Sequence, residues 1–226
     1  MMNVREFATR EALMQAVADR IAIGLSEAVS QRGNACLALS GGSTPEPAYR
    51  ALAGANLNWP HITFALVDER FVPPEHDASN EGMLRRALAS PLAHGARLLP
   101  LFAPDLACAA DEADQIYSRE QIDIAVMGMG DDGHTASWFP GMAQLDEALD
   151  DSTTRTVIAV HAAAAAGSPD RLTLTRSAIA RAGAVILLIT GETKRRRLEQ
   201  ALADGDAPVA ALFQAPVPKP EIWWAP

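Results

Sequence analysis

Four short apolar runs punctuate this chain, and each stops abruptly on glycine, acidic or hydroxyl residues. They are Ala35-Cys-Leu-Ala-Leu-Ser40, Ile62-Thr-Phe-Ala-Leu-Val67, Ile122-Asp-Ile-Ala-Val-Met127 and Ala184-Val-Ile-Leu-Leu-Ile189. Short, continuous apolar runs suit strands covered on both faces, where alternation would leave a polar side buried. Between them the apolar period changes. Met14, Val17, Ile21, Leu25 and Val29 predict a helix from about Glu11 to Ser30, stopped by Gly33. Further helices are predicted from Pro45 to about Ala53, Ser79 to Ala89, Ala107 to Arg119, Ser177 to Arg181 and Glu192 to Leu202. Weaker strand patterns cover Arg97 to Leu99, Thr156 to Val160 and Leu172 to Leu174, and Glu221-Ile-Trp-Trp-Ala-Pro226 reads as a last edge strand. Pro73-Pro74 predicts a loop, and the alanine-rich patch from Ala162 to Ala166 a mobile surface loop. Strands alternating with helices predict an α/β fold: one three-layer, Rossmann-like domain over residues 1–226, with a mainly parallel sheet and helices on both faces. No repeat or linker divides it.

Composition narrows the function. With 49 % hydrophobic residues among 226, the chain has material for a sizeable core. The 19 basic and 28 acidic residues give a net charge of −9. That balance argues against nucleic acid or an anionic membrane as partner, since both are bound through basic surfaces. It leaves room for a small anion held by a few local cations. The longest apolar stretch, Ala182 to Ile189, falls far short of the roughly 18 residues of a membrane span, and the N-terminus has no signal-peptide pattern. A cytoplasmic protein is expected. Cys36 and Cys108 form no C-x-x-C, and Cys36 reads as a small core residue. Nothing in the sequence speaks to oligomeric state.

In open parallel sheets, ligands bind beyond the carboxyl ends of the strands. Here four of those ends carry chemistry. The first, Leu39-Ser-Gly-Gly-Ser-Thr-Pro45, offers Gly41 and Gly42 for close backbone approach, hydroxyls and helix caps from Ser43 and Thr44, and a helix start at Pro45. An ordinary strand–turn–helix link would look similar. At the second, Asp68-Glu69-Arg70, the Arg70 fork suits phosphate or carboxylate, although a solvated charge cluster fits equally well. The third, Gly128-Met-Gly-Asp-Asp-Gly-His134, ends a strand on histidine, the side chain type whose unperturbed form can take and return a proton near neutrality. It also matches G-x-G-x-x-G, but two carboxylates in the loop would repel a pyrophosphate, and Trp138, Phe139 and Pro140 interrupt the helix that should follow. The fourth, Thr190-Gly-Glu-Thr-Lys194, sets one of only two lysines in a first helical turn, against the helix dipole, as a bound anion would favour. Arg171, just before Leu172-Thr-Leu-Thr175, is a further anion contact or a structural ion pair. No G-x-S-x-G elbow surrounds Ser43, and His134 lacks an H-x-x-x-H or H-x-H partner, so neither a nucleophilic serine nor a metal centre is legible and no cofactor is expected. Water activated by His134 is the simplest chemistry.

Those segments, with Val67-Asp-Glu-Arg-Phe-Val-Pro73, Ser79-Asn80 and His134-Thr-Ala-Ser-Trp-Phe-Pro-Gly141, resemble in order the 6-phosphogluconolactonase family of the bacterial type, related to the glucosamine-6-phosphate deaminase/isomerase fold. The resemblance implies hydrolysis of 6-phospho-glucono-1,5-lactone, a small phosphorylated sugar lactone, in the oxidative pentose phosphate pathway. It implies His134 as general base and later acid, with Gly42, Ser43, Thr44, Arg70 and Lys194 holding the phosphate and orienting the ring, and Arg171 assisting. Asp68 would position the histidine or a sugar hydroxyl. Trp138 replaces the leucine expected in the pattern and is read as a larger residue in the pocket wall. Amino-sugar phosphate deaminases place an acid a few residues after this histidine, where Trp138, Phe139 and Pro140 stand here, and commonly an aromatic where Arg70 stands. A non-catalytic sugar-phosphate sensor would leave His134 without a task, and a nicotinamide enzyme is the remaining rival.

Overall fold

Residues 3–163 and 165–226 are described by a computed structural model of the chain; Met1, Met2 and Ala164, the last within the predicted alanine-rich loop, lie outside it. The predicted long helix is α1, Arg10–Arg32. Thr9 caps it by accepting the Ala12 N–H at 3.2 Å, and Gly33 ends it in the left-handed conformation, φ 80°. A short strand that the sequence does not foretell, β1 at Val4–Glu6, precedes it. There follow β2 (Ala35–Leu39), α2 (Glu46–Leu52), β3 (Ile62–Leu66), β4 (Asp68–Arg70), α3 (Asn80–Ala87), α4 (Ala89–Ala93) and β5 (Arg97–Leu98). Next come α5 (Leu106–Tyr117), β6 (Ile124–Met127), α6 (Leu145–Leu149), β7 (Val157–His161), β8 (Asp170–Leu174), α7 (Arg176–Ala180), β9 (Ala184–Thr190), α8 (Glu192–Asp204) and β10 (Glu221–Ala225).

Among the described residues seven strands form one sheet in the order β1-β10-β9-β6-β2-β3-β5, and every neighbouring pair is parallel. All residues of β2, β3 and β6 are buried, as their unbroken apolar runs require. The chain leaves β2 toward β3 and β5, then returns to lay β6 on the other side of β2. This reversal opens a crevice between the ends of β2 and β6, the place where such sheets bind ligands. Cys36 is buried within β2, and burial pushes its thiol far above the ordinary value.

Three expectations are corrected. Asp68-Glu-Arg70 is not a polar tail on β3: it is a separate strand, antiparallel to β8, which pairs antiparallel with β7 to make a second, three-stranded sheet. The tail strand is not at an edge, because β10 lies between β9 and β1. Its Ile222, Trp223 and Trp224 are all buried there, which accounts for so apolar a terminus. The helix predicted from Ser79 to Ala89 is broken at Leu88 into α3 and α4.

Candidate active site

The four predicted strand ends converge, since β9, β6, β2 and β3 are consecutive in the sheet. Their loops enclose a cleft of about 320 Å³ whose lining includes Gly41, Gly42, Ser43, Thr44, Asp68, Arg70, His134, Arg171 and Lys194. Every site residue singled out in the sequence therefore borders one cavity.

After β6 the chain turns tightly. The Gly130 N–H donates to the His134 carbonyl at 2.9 Å, and the Gly133 N–H to the Gly130 carbonyl at 3.0 Å. Gly133, at φ 85°, takes a conformation that side chains resist, and so folds Asp132 back onto His134. Asp132 Oδ1 accepts from the His134 backbone N–H at 3.0 Å and faces His134 Nδ1 at 2.6 Å. That contact puts the imidazole proton on Nδ1 and leaves Nε2 as the basic nitrogen. Partial burial opposes ionisation of Asp132, but the His134 N–H and the imidazole outweigh it and hold the carboxyl below its ordinary range. In the sequence Asp132 is one of two carboxylates in the loop and carries no assigned role; its spacing of two residues before His134 across a glycine is the available signal. Beyond His134, Ala136 has φ 50°, a strained left-handed conformation for a residue with a Cβ, within the turn that bridges Thr135 to Trp138.

The antiparallel sheet supplies the opposite wall. Asp68 Oδ2 accepts from Ser137 Oγ at 2.6 Å and lies 3.8 Å from the Arg171 guanidinium. Among the described residues Asp68 makes no hydrogen bond to His134, whereas Asp132 does. Arg171 is 4 % exposed, donates through Nε to the Ser168 carbonyl at 3.1 Å, and also bonds the Ala166 carbonyl. Burial draws its guanidinium below the ordinary arginine value, against the pull of Asp68. Arg70 Nη1 donates to the Ala78 carbonyl at 2.8 Å and to Asn80 Oδ1 at 2.9 Å, while its buried Nε has no partner among the described residues. Asn80, which the sequence does not mark as a site residue, also donates to the Asp68 carbonyl at 2.8 Å, so one amide fixes both Asp68 and Arg70. Below them Glu69 is fully buried and accepts four donors: Ser79 Oγ and the backbone N–H groups of Arg70, Asn80 and Glu81. Burial raises its pKa, and those four bonds oppose the rise.

Lys194 reaches across from α8 and donates to the Met129 carbonyl at 2.7 Å, with Asp131 at 4.0 Å. Ser43 and Thr44 do not cap α2. Its N-cap is Pro45, without a side-chain bond, so both hydroxyls stay at the rim of the cleft. The backbone N–H groups of Gly42, Ser43 and Thr44 donate to no acceptor among the described residues. Trp138 corrects the last expectation. It is fully buried away from the cleft, its indole N–H bonded to the Leu174 carbonyl at 2.8 Å, because a buried indole needs an acceptor that the core strand supplies.

The cleft thus combines an oriented imidazole, unpaired backbone donors, two guanidiniums and an ammonium. Comparison with known proteins agrees in kind. The profile described as Glucosamine-6-phosphate isomerases/6-phosphogluconolactonase matches residues 8–223. A 6-phosphogluconolactonase of Rhizobium meliloti (strain 1021) is 42 % identical over 99 % of both chains. One of Pseudomonas putida is 38 % identical over 100 % of this chain and 93 % of its own. The crystal structure of a 6-phosphogluconolactonase from Shewanella baltica OS155 superposes with a TM-score of 0.93 at 35 % identity, covering 100 % of this chain and 98 % of that one. A monomeric glucosamine-6-phosphate deaminase, 23 % identical with a TM-score of 0.78, shares the fold. From sheet order to cleft, and along nearly its whole length, the chain belongs to the glucosamine-6-phosphate isomerase/6-phosphogluconolactonase family.

Proposed function

We propose that this protein hydrolyses 6-phospho-D-glucono-1,5-lactone to 6-phospho-D-gluconate, with His134 as the general base. The observation that carries the reading is the Asp132–His134 contact, which makes Nε2 the proton-accepting nitrogen of the neutral imidazole in a cleft rimmed by phosphate-compatible donors. Nε2 takes a proton from water as the oxygen attacks the lactone carbonyl carbon. The tetrahedral intermediate collapses by breaking the bond from that carbon to the ring oxygen, which receives the proton back from Nε2–H. The products are a hydroxyl and a carboxylic acid, which ionises, and His134 ends neutral. Asp132 holds the tautomer and stabilises the transient imidazolium, as carboxylates do for other catalytic histidines.

Phosphate is assigned to the N–H groups and hydroxyls of Gly41 to Thr44 together with Lys194, with Arg70 and Arg171 adding positive field from the opposite wall. Arg70, with Nη1 pinned and Nε unpaired, also meets negative charge developing on the lactone. Asp68, free of the histidine, orients a sugar hydroxyl. A phosphorylated substrate does not cross membranes unaided, so the reaction belongs in the cytoplasm; among the described residues no helix is long and apolar enough to span a bilayer.

The test is lactone hydrolysis by the wild type and His134→Ala, corrected for spontaneous hydrolysis. Acceleration by the wild type alone, with 6-phosphogluconate still bound by the variant, is the expected result. Undiminished turnover in His134→Ala would remove the histidine from its role, and no acceleration by either would remove the reaction.

A further inference from the structure

Phe139 is an aromatic ring lining the cleft, only partly buried, and the mechanism above gives it no task. Its ring centroid is 4.2 Å from that of His134, the planes inclined by 31°. The guanidinium of Arg171 lies over the same Phe139 ring, 5.1 Å from its centroid. Arg171 is itself immobilised by Asp68 and by the carbonyls of Ser168 and Ala166.

The surroundings of the imidazole are then accounted for side by side. Nδ1 is held by Asp132. The Cε1 edge lies so close to Gly130 that no side chain fits there. One face is covered by Phe139. A single hydrogen bond at Nδ1 would still let the ring swing about the axis through that bond, carrying Nε2 out of line with the attacking water. A flat partner against the ring face blocks that swing. A flexible aliphatic side chain of similar volume would not, because it has no plane to match.

We infer that Phe139, held by the Arg171 guanidinium over its ring, is a positioning residue that fixes the rotation of His134 and hence the direction of Nε2. This rests on His134 acting as the base. The competing task for an aromatic ring here is a platform for the sugar, and the two separate kinetically. A positioning residue changes kcat, because the reacting atoms are misaligned in a complex that still forms. A platform changes KM, because it touches the substrate in both ground and transition states.

The experiment uses Phe139→Leu, which keeps apolar volume, Phe139→Tyr, which keeps the plane, and the double variant His134→Ala/Phe139→Leu. Each is checked for folding by thermal melting, then measured for kcat and KM on the lactone and for 6-phosphogluconate affinity by calorimetry. Misalignment on the ångström scale predicts that kcat in Phe139→Leu falls about tenfold to a hundredfold. KM and product affinity stay within about twofold, and Phe139→Tyr restores most of the rate. The double variant should be no slower than His134→Ala alone. In proton spectra of the unliganded protein, the His134 ring signals should lose their ring-current shift in Phe139→Leu and keep it in Phe139→Tyr.

A risen KM with unchanged kcat would overturn the inference in favour of a sugar platform. Unchanged kinetics in Phe139→Leu, or a double variant clearly slower than His134→Ala, would overturn it outright. A wild type without lactonase activity would instead bring down the functional reading on which it rests, and the positioning role with it.

Discussion

Gly130→Ala is the sharpest single perturbation available at this site. Gly130 carries no left-handed backbone angle, so alanine suits its conformation and the substitution is not expected to unfold the loop. The new Cβ would stand 2.9 Å from Asp132 Oδ1 and well inside the contact distance of His134 Cε1 and Nδ1. Carbon atoms rest comfortably at about 3.5–4.0 Å, so the imidazole must retreat by more than about 1 Å. That retreat would pull Nδ1 out of its bond to Asp132. A displacement of about 1 Å at a catalytic group is worth about a hundredfold in rate. That corresponds to about 2.7 kcal/mol on the barrier. The loop from Gly41 to Thr44 is untouched, so KM should move by less than about threefold if uniform binding is retained. Stopped-flow or pH-stat measurement of lactone hydrolysis, with the spontaneous rate subtracted, separates the two parameters. A folded Gly130→Ala protein with kcat within about threefold of the wild type would show that the imidazole either is not held where described or is not the base.

Other outcomes follow from the same geometry. Lys194→Ala and Arg70→Ala should each raise KM by the loss of a charge-assisted contact, about 1.5–3 kcal/mol, read from initial rates; unchanged KM in both would move the phosphate site elsewhere. Asp132→Asn should lower kcat with little change in product affinity, because an amide can present its NH2 group to Nδ1 and favour the wrong tautomer. Asp132 has a folded pKa below its reference value of 3.8. Its ionised form therefore stabilises the fold fully above that reference, and the contribution is lost as pH falls through the lower folded value. Urea midpoints of the wild type and Asp132→Asn should accordingly draw together as pH falls below that reference, and a gap that widened there would contradict this sign. Extended dialysis against EDTA should leave the rate intact; loss reversed by added Zn²⁺ would point to metal-assisted water instead.

Much of this architecture is readable from the chain because its central strands obey a simple rule. β2, β3, β6 and β9 are continuous apolar runs, and their ends are where a parallel sheet keeps ligands, so His134, Lys194 and the Gly41–Thr44 loop can be placed together without coordinates. What escapes the sequence depends on contacts between distant segments. Asp68 to Arg70 follow β3 almost without a break, and only pairing with β8, about a hundred residues on, reveals them as a strand of another sheet. Val4–Glu6 is too short and too polar to declare itself, and becomes a strand only because β10 offers it an edge. Asp132 is visible as a residue, but its role requires knowing that Gly133 folds the chain back. Phe139 and Trp138 are adjacent aromatics that look alike in sequence, yet one faces the imidazole and the other is sealed in the core with its indole N–H on the Leu174 carbonyl.

The insertion of β10 between β9 and β1 bears on the order in which the cleft is assembled. β2, β3 and β6 pair with partners reasonably near in sequence, whereas β1 finds β10 only across almost the entire chain. Pairings that close such long loops form late, since loop entropy is lost before contacts compensate. The turn that carries Lys194 is bound instead to β10, whose pairing with β9 is about as near in sequence as that of β3 with β5. The Gly191 N–H donates to the Ala225 carbonyl at 2.9 Å, and the Trp224 indole donates to the Gly191 carbonyl at 3.1 Å. Refolding should therefore complete both sides of the cleft, histidine and ammonium alike, before β1 is laid against β10. Such a species would already hold a phosphorylated ligand while the N-terminal strand still awaited its edge.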